Sequence, residues 1–247
     1  MSGQIEGRNP VLEALRAGRE INKLLVAKGA REGSIREVVG LARQAGVIIQ
    51  EVDRERLDAL AQGRNHQGVI AMVAAHRYYD LDEILERAAA SGQDPFLLVL
   101  DSIEDPQNLG SLLRTADAAG VHGVVIPERR AVGLTETVAK VSAGAVEYVP
   151  VARVTNISRT LDELKEKGFW VVGTHQDARE LYYQAKLTGP LAVVVGSEGK
   201  GMGRLVSEKC DFTVRLPMLG HVTSLNAAVA GAILIYEIRR QRDQAAR

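Results

Sequence analysis

The sequence predicts an α/β protein whose main sheet is parallel and covered by helices on both faces. Helical and extended patterns alternate along most of the chain, which is typical of α/β folds. Predicted strands such as Phe96–Leu100 and Leu191–Val195 are continuously apolar, and this pattern indicates burial on both faces of a sheet. With 247 residues, 46% of them hydrophobic, the chain is long enough to form two domains.

The first part of the chain, residues 1–76, predicts a small α/β domain. Its Asn9-Pro10 pair is typical of a helix start, and Gly46 is typical of a helix end. In order, the predicted elements are a helix at 9–17, a strand at 21–26, a helix at 35–45, a strand at 47–52, a short helix at 54–60 and a strand at 69–74. The charged, alanine-rich segment 77–94 is predicted as a helical linker.

The remaining residues, 95–247, predict the larger domain. Strands are predicted at 96–100, 123–126, 147–149, 169–173, 191–195 and 212–216, with helices between them. In parallel sheets, ligands bind at the carboxyl ends of the strands. Three of these ends carry unusually polar or glycine-rich sequences, so we expect a ligand site there.

Composition excludes several classes of protein. The single cysteine, Cys210, excludes an intramolecular disulfide and a multi-cysteine metal site, and we expect it in the core. The five histidines show no metal-binding spacing, so no metal is expected. No apolar segment approaches the roughly 18–20 residues of a membrane span, and the opening residues MSGQIEGRNP are polar, without the apolar region of a signal peptide. We therefore expect a cytoplasmic protein without membrane association.

The charge distribution is mildly asymmetric although the totals balance at 31 basic and 31 acidic residues. Residues 1–77 carry 12 Lys and Arg against 9 Asp and Glu, and the rest carry 19 against 22. The net charges are therefore +3 and −3. This difference favours a polyanion as a partner of the first part of the chain.

The first elaborate strand end is DSIEDPQNLGSLLRTAD, residues 101–117. Its apolar residues share one face of a helix that begins near Gln107, so Arg114 projects roughly opposite and is free to bind a partner outside the core. A solvated surface arginine is the simpler interpretation. Asn108 lies in the first turn of the same helix, and a structural role in that turn is enough to explain an asparagine there.

The second elaborate strand end is VGSEGKGMG, residues 195–203, whose four glycines allow close backbone approach to a ligand. It is not a phosphate-binding P-loop, because Val194 stands at the first glycine position and Gly201 at the Ser/Thr position. A GxGxG spacing also occurs here, but without the context of a dinucleotide-binding fold. Glu198 could cap a helix, bind a ligand or act as a base.

The third elaborate strand end is PMLGHVTSLN, residues 217–226, which runs into the apolar helix sequence AAVAGAILIY. Ser224 and Asn226 are residue types that cap helices, and their side chains can either accept hydrogen bonds from the first helical turn or face a ligand. From the residues alone, capping is the simpler role.

In this order, the segments DPQNLGSLLRTADAAGVHGVVIP, VVVGSEGKGM and RLPMLGHVTSLNAAVAGAI closely resemble the three motifs of the SpoU/TrmH branch of the SPOUT RNA methyltransferases. The match spans roughly residues 95–238. GRNPVLEAL and His66-Gln67-Gly68-Val69 resemble the family's small substrate-binding domain, a ribosomal-protein-like α/β fold. Over the full length, the chain is most similar to RlmB-type 2′-O-ribose methyltransferases of large-subunit ribosomal RNA.

The resemblance implies a fold and a function. The fold is an α/β-knot domain with a deep trefoil knot, which binds S-adenosylmethionine and forms a homodimer through the knotted region. The function is S-adenosylmethionine-dependent 2′-O-ribose methylation, with a guanosine of 23S ribosomal RNA as the expected target. A tRNA ribose and a ribosomal RNA site that confers antibiotic resistance are alternative targets. A catalytically silent RNA-binding protein is the alternative from another class, and a nucleotide-dependent oxidoreductase is a third.

The resemblance also implies site residues. Arg114 matches the family's catalytic arginine, proposed to contact the RNA phosphate and activate the 2′-hydroxyl, and Asn108 and Glu198 match residues that orient the nucleophile or that arginine. The implied cofactor-binding residues are Thr174, Gly196, Glu198, Gly199, Gly201, Leu216, Met218, Gly220, Ser224, Leu225 and Asn226. In the substrate-binding domain, the candidate RNA contacts are Arg8, Lys23, Lys28, Arg31 and Arg64, each of which could also be solvated surface.

Overall fold

The computed structural model describes residues 3–30, 33–73 and 76–245. The chain divides into two compact units. The first ends at Arg77 and also includes Gly133–Glu136, and the second comprises Tyr78–Val132 and the chain from Thr137 onward. Each unit has its own sheet and its own hydrophobic core.

The first unit is built on a four-stranded sheet. Its elements are β1 (Gln4–Glu6), α1 (Arg8–Arg16), β2 (Ile21–Ala27), α2 (Ser34–Gln44), β3 (Ile49–Val52), α3 (Arg54–Ala61) and β4 (Val69–Val73). The strands are ordered β1-β4-β2-β3, with β2 parallel to β3 and β4 antiparallel to both of its neighbours. Leu24 and Val26 pack with α1 and α2, whereas Leu25 and Ala27 pack with α3. Because successive side chains of a strand point to opposite faces, helices cover both faces of this sheet.

The second unit is built on a seven-stranded sheet. Its elements are α4 (Leu81–Ala90), β5 (Phe96–Asp101), α5 (Pro106–Ala119), β6 (Gly123–Pro127), α6 (Glu136–Val141), a 3₁₀ turn (Ala145–Glu147), β7 (Val151–Val154), α7 (Ile157–Glu166), β8 (Trp170–Thr174), β9 (Glu180–Leu181), β10 (Leu191–Gly196), α8 (Arg204–Lys209), β11 (Phe212–Arg215) and α9 (Ala227–Ala245). The order is β7-β6-β5-β10-β8-β11-β9, and all pairs are parallel.

The centre of this sheet is buried on both faces, which confirms the predicted parallel architecture. Every residue of β5 and β10 is buried. On one face, α4, α7 and α8 contribute to the core beside Leu97 and Val99. On the other, α5 packs against α9, where a Cβ on Gly231 would lie 2.6 Å from a methyl carbon of Leu112. Gly231 therefore permits the close approach of these two helices.

One predicted strand, residues 147–149, is wrong. Ala145–Glu147 form a 3₁₀ turn after Gly144, and the strand begins only at Val151. Pro150 separates the two, and proline has no backbone N–H to contribute to a sheet. Val146 in the turn and Val149 just after it are both buried, so these apolar residues produced a strand-like pattern.

Two short strands were not predicted. β1 pairs with β4, and β9 pairs with the end of β11, but neither is long enough to show an alternating pattern. The segment 77–94, predicted as a helical linker, contains α4, and Ile84 of α4 packs in the core of the second unit. The predicted strand end at Ala74 lies outside the described residues.

Within the described ranges, no helix combines the length and apolar character needed to cross a membrane. The same residues contain no group of three or more His, Cys, Asp or Glu side chains that could hold a metal ion. Cys210 packs against the core of the second unit. Burial, followed by the charge of Asp211, raises the pKa of its thiol to about 12. The side chain therefore remains a thiol at neutral pH and is not a nucleophile.

The C-terminal helix is attached to the amino-terminal edge of the large sheet by Arg242. Its guanidinium donates to the backbone carbonyls of Asp94 at 2.5 Å, Pro95 at 3.1 Å and Gly189 at 2.7 Å. It also lies over the ring of Phe96, with its central carbon 5.0 Å from the ring centroid. Pro95 and Gly189 precede β5 and β10, so Arg242 connects α9 to both central strands.

We expect Arg242→Ala to lower the free energy of unfolding by about 2–4 kcal/mol, because charge-assisted hydrogen bonds to partly buried carbonyls are lost. Urea unfolding followed by circular dichroism measures this change. Arg204→Ala is the control, since Arg204 forms an exposed ion pair with Glu208 and its loss should cost less than about 1 kcal/mol. Equal losses in the two variants would contradict the role given to Arg242.

Candidate functional site

A cavity lies at the carboxyl ends of β8, β10 and β11 in the second unit. This is the edge of a parallel sheet at which ligands are expected. The residues that line it are Thr174, His175, Gln176, Tyr182, Val195, Gly196, Ser197, Glu198, Gly199, Lys200, Gly201, Val214, Arg215, Leu216, Met218, Thr223, Ser224, Leu225, Ala227, Ala230 and Leu234. Four separate segments of the chain, within residues 174–182, 195–201, 214–218 and 223–234, therefore meet around one cavity.

Most of the candidate cofactor residues lie in this lining. They are Thr174, Gly196, Glu198, Gly199, Gly201, Leu216, Met218, Ser224 and Leu225. Gly220 and Asn226 are not in the lining. Sequence reasoning missed His175, Gln176 and Tyr182. The first two directly follow β8 and could have been found from their position, whereas Tyr182 follows the very short β9.

The glycine loop, residues 196–203, forms one wall of the cavity. Ser197 and Gly201 exchange two backbone hydrogen bonds, of 3.1 Å from the Ser197 amide and 2.8 Å from the Gly201 amide. A Cβ on Gly196 would overlap the backbone of Gly201 and Met202, so only glycine permits this close return of the chain. The loop is therefore narrow, with Glu198 near its tip.

Glu198 joins two other segments of the chain. Its Oε1 atom accepts hydrogen bonds from the side-chain amide of Asn108 at 3.2 Å, from the side-chain amide of Asn226, and from the backbone N–H of Ala227 at 3.2 Å. The Asn226 amide also donates to Oδ1 of Asn108 at 2.8 Å. We call Asn108, Glu198 and Asn226 the polar cluster. It brings together one residue from each elaborate strand end.

The polar cluster also caps α9. The side-chain oxygen of Asn226 accepts from the backbone N–H groups of Ala228 at 2.9 Å and Val229 at 3.2 Å. With the bond from Ala227 to Glu198, three backbone donors of the first turn are satisfied. Asn226 is thus a cap residue, whereas Ser224 faces the cavity.

Helix α5 places Asn108 and Arg114 in different environments. Asp105 caps the helix by accepting from the Gln107 amide at 3.1 Å, and Pro106 occupies its first turn. The apolar side of α5 is buried and includes Leu112, as its spacing predicts. Asn108 is 8% exposed and bonded to Glu198, whereas Arg114 is exposed. Within the described residues, Arg114 forms no hydrogen bond or ion pair, so its guanidinium is available to an external partner.

The basic residues of the first unit differ in their pairing. The Arg8 side chain donates to the backbone carbonyl of Gln67 at 3.1 Å, Lys28 pairs with Asp53 at 2.9 Å, and Arg64 pairs with Glu6 at 2.9 Å. Lys23 is half-buried and has no ion-pair partner in the described part of the chain. Arg31 lies outside the described residues.

Family models match both units. The model of the SpoU rRNA methylase family matches residues 95–236, and the model of the RNA 2′-O ribose methyltransferase substrate-binding domain matches residues 4–79. The first of these spans the cavity, the glycine loop and the polar cluster.

Full-length relatives carry the same family name. YacO of Bacillus subtilis strain 168, assigned to the TrmH family of tRNA/rRNA methyltransferases, is 55% identical over 237 residues, which are 96% of this chain and 95% of that protein. A Staphylococcus aureus strain MSSA476 protein assigned to the same family is 50% identical over 238 residues, 96% of each chain.

Solved structures share the fold. The SpoU methyltransferase AviRb from Streptomyces viridochromogenes, in complex with the cofactor AdoMet, is 26% identical with a TM-score of 0.62 over 98% of this chain and 90% of that one. An RNA 2′-O ribose methyltransferase is 32% identical with a TM-score of 0.56 over 97% and 88%. Together with the family models and the full-length relatives, these structures show that the chain belongs to the SpoU/TrmH family of RNA 2′-O-ribose methyltransferases.

Proposed function

We propose that the protein transfers the methyl group of S-adenosylmethionine to the 2′-hydroxyl of a guanosine in 23S ribosomal RNA. The observation that carries the proposal is the meeting of Asn108, Glu198 and Asn226 beside one cavity, with Arg114 exposed on the same helix as Asn108. Ribosomal RNA is favoured because the matching family model is named for it. The guanosine of 23S ribosomal RNA is proposed because the sequence motifs resemble those of RlmB-type enzymes. A tRNA ribose is the alternative target, since the relatives are named for both RNAs.

The cavity suits S-adenosylmethionine. Its apolar side chains, including Leu216, Leu225 and Leu234, offer a surface for the flat adenine ring. The glycine loop brings backbone N–H and C=O groups to the opposite side, where the polar edges of adenine and ribose need partners. The AdoMet complex of AviRb supports the same choice of cofactor. S-adenosylmethionine supplies an electrophilic methyl group bonded to a sulfonium sulfur.

Methyl transfer to a ribose oxygen is an in-line displacement, in which the C–O bond forms as the C–S bond breaks. The protein must therefore align the hydroxyl with the methyl group and accept or relay the hydroxyl proton. Arg114 would bind the RNA phosphate and fix the position of the ribose. A guanidinium holds its proton throughout the physiological range, so a neighbouring group or water takes the proton. Asn108 and Glu198 would hold α5 and the glycine loop in their relative positions through the hydrogen bonds of the polar cluster.

We propose a division of roles along the chain. Residues 1–76 bind the RNA substrate, and residues 77–94 connect this domain to the next. Residues 95–247 carry the cofactor site and the residues for methyl transfer. The family model for substrate binding, which matches residues 4–79, supports the first role. Arg8, Lys23, Lys28, Arg31 and Arg64 remain the candidate RNA contacts in this part, and we place the protein in the cytoplasm with its RNA.

We also propose a homodimer formed through a knotted region of the second unit. The support is a set of exposed apolar residues near the cavity: Leu219 is 97% exposed and Val222 67%, and on α9 Val229 and Tyr236 are 48% and 52% exposed. Val229 and Tyr236 are seven residues apart and so share one face of the helix. The trefoil knot of this region is an expectation from the family resemblance.

Arg114→Ala should lower kcat by about 10²–10³-fold, as expected when one positively charged group is removed from the reacting centre. The dissociation constant for S-adenosylmethionine should stay unchanged, because Arg114 does not line the cavity. Incorporation of labelled methyl groups into RNA and isothermal titration calorimetry measure the two quantities. Arg204→Ala is the control and should match the wild type in both.

Two results would contradict these assignments. An unchanged kcat at saturating cofactor, together with a raised dissociation constant for S-adenosylmethionine, in Arg114→Ala would show that the arginine serves the cofactor and not the RNA. A wild-type protein that binds NAD but not S-adenosylmethionine would exclude the methyltransferase assignment altogether.

Lys23→Gln should weaken RNA binding and lower the slope of log K against log salt by about 0.7–0.9, as expected for one lost phosphate contact. Filter binding with ribosomal RNA fragments at several salt concentrations measures the slope. Lys28→Gln provides the comparison and should have a smaller effect, because the Lys28 ammonium is already paired with Asp53. An unchanged slope in Lys23→Gln would remove this residue from the RNA-binding surface.

The target is tested by mapping 2′-O-methylation across ribosomal and transfer RNA in a strain that lacks the protein. We expect one guanosine of 23S ribosomal RNA to lose its methyl group and to regain it when the gene is restored. Restoration with the Arg114→Ala variant should not return the mark. Loss of a tRNA mark instead would establish the alternative target, and loss of no mark would favour a catalytically silent RNA-binding protein.

A further inference from the structure

Asp101 holds both ends of the glycine loop. It is the last residue of β5, and its backbone pairs with Gly196, the first residue of the loop, in the register of β5 and β10. Its side-chain Oδ2 atom accepts a hydrogen bond of 2.6 Å from the backbone N–H of Gly203, the last residue of the loop. One residue of a central strand thus contacts the loop where it begins and where it ends.

The environment of Asp101 sets it apart from an ordinary surface carboxyl group. The residue is 8% exposed, and its Oδ1 atom accepts from the hydroxyl of Ser102 at 3.0 Å. Across the described ranges, no Lys or Arg forms an ion pair with it. Burying a carboxylate without a cation is costly unless its oxygens are hydrogen-bonded. The hydrogen bond from Gly203 therefore offsets much of the free-energy cost of burying this carboxylate.

The loop has few other internal constraints. Ser197 and Gly201 are paired, and the Lys200 amide donates to the Glu198 carbonyl at 2.9 Å. Glu198, Gly199 and Lys200 are exposed, and the glycines allow many backbone conformations. The position of the Glu198 backbone therefore depends on the ends of the loop, in addition to the hydrogen bonds that its side chain accepts from Asn108, Asn226 and Ala227.

The same strand also leads into α5, only a few residues before Asn108. The bond between Asp101 and Gly203 therefore restricts how far the glycine loop can move from α5, which carries Asn108. This restriction matters because the 3.2 Å hydrogen bond between Asn108 and Glu198 links α5 to the loop. A shift of about 1 Å would break that bond.

We propose that Asp101 is a positioning residue for methyl transfer: through its hydrogen bond to Gly203 it keeps the glycine loop closed along the cavity, with Glu198 within reach of Asn108 and Asn226. This rests on the proposed function, which assigns the loop to cofactor binding. Asp101 does not touch the reacting atoms and acts only through the loop.

The test compares Asp101→Ala and Asp101→Asn with the wild type in limited trypsin digestion. Lys200 lies in the loop, so cleavage after Lys200 reports opening of the loop itself. We expect Asp101→Ala to increase the rate of this cleavage about tenfold to a hundredfold, the equivalent of one lost charge-assisted hydrogen bond. Asp101→Asn has nearly the same shape and retains one acceptor, so its rate should be intermediate.

Cofactor binding and turnover provide the second readout. Calorimetry should show a dissociation constant for S-adenosylmethionine raised about tenfold or more in Asp101→Ala and raised less in Asp101→Asn. At saturating cofactor, kcat should fall in both variants while KM for RNA changes less than twofold, because the RNA-binding residues are untouched. If Asp101 only stabilised the fold, the variants would yield less folded protein, but the kcat of that folded protein would equal the wild-type value.

Arg242→Ala is the matched control, because it destabilises the same unit at the opposite edge of the sheet. At a temperature well below its unfolding transition, its cleavage after Lys200 and its cofactor affinity should match the wild type. Wild-type rates and affinity in both Asp101 variants would overturn the proposal, as would an equal increase in cleavage in Arg242→Ala. Failure of the wild type to bind S-adenosylmethionine would instead reject the proposed function, and the cleavage result would still decide whether Asp101 holds the loop.

Discussion

The site depends on the hydrogen bonds that converge on one oxygen of Glu198. Asn108 lies 90 residues before Glu198, and Asn226 lies 28 residues after it, yet both side-chain amides donate to the same atom. The first backbone amide of α9 donates there too. These bonds connect the helix after β5, the loop after β10 and the helix after β11. Without them, only the hydrogen bond from Asn226 to Asn108 would join the members of the polar cluster.

The large parallel sheet makes that convergence possible. Because β5, β8, β10 and β11 are parallel, all of them end at the same edge. β5 and β10 are adjacent and buried throughout, which holds their ends in a fixed relation. The edge opposite is closed by Arg242, whose contacts precede the same two strands. The buried strands β5 and β10 thus support the cavity, and the polar cluster lies at their carboxyl ends.

Much of this arrangement could be predicted from the sequence, since continuous apolar runs identify buried parallel strands and helical spacing places Arg114 away from the core. The short strands β1 and β9 could not be predicted, because two or three residues carry no periodicity. The misplaced strand at 147–149 shows that apolar spacing alone does not separate a strand from a buried 3₁₀ turn before proline. Nor could the residues alone decide between the possible roles of Glu198 and Asn226, because a side chain's bonding partner depends on contacts between distant segments.

Helix α5 carries two polar residues whose bonding needs are met in different ways. The amide of Asn108 is satisfied inside the protein, so its orientation is settled when the chain folds. Within the described residues, the guanidinium of Arg114 has no hydrogen-bond partner and is exposed to solvent. Replacing Arg114 would therefore leave the internal hydrogen bonds of the unit unchanged, whereas replacing Asn108 would remove hydrogen bonds to two other segments of the chain.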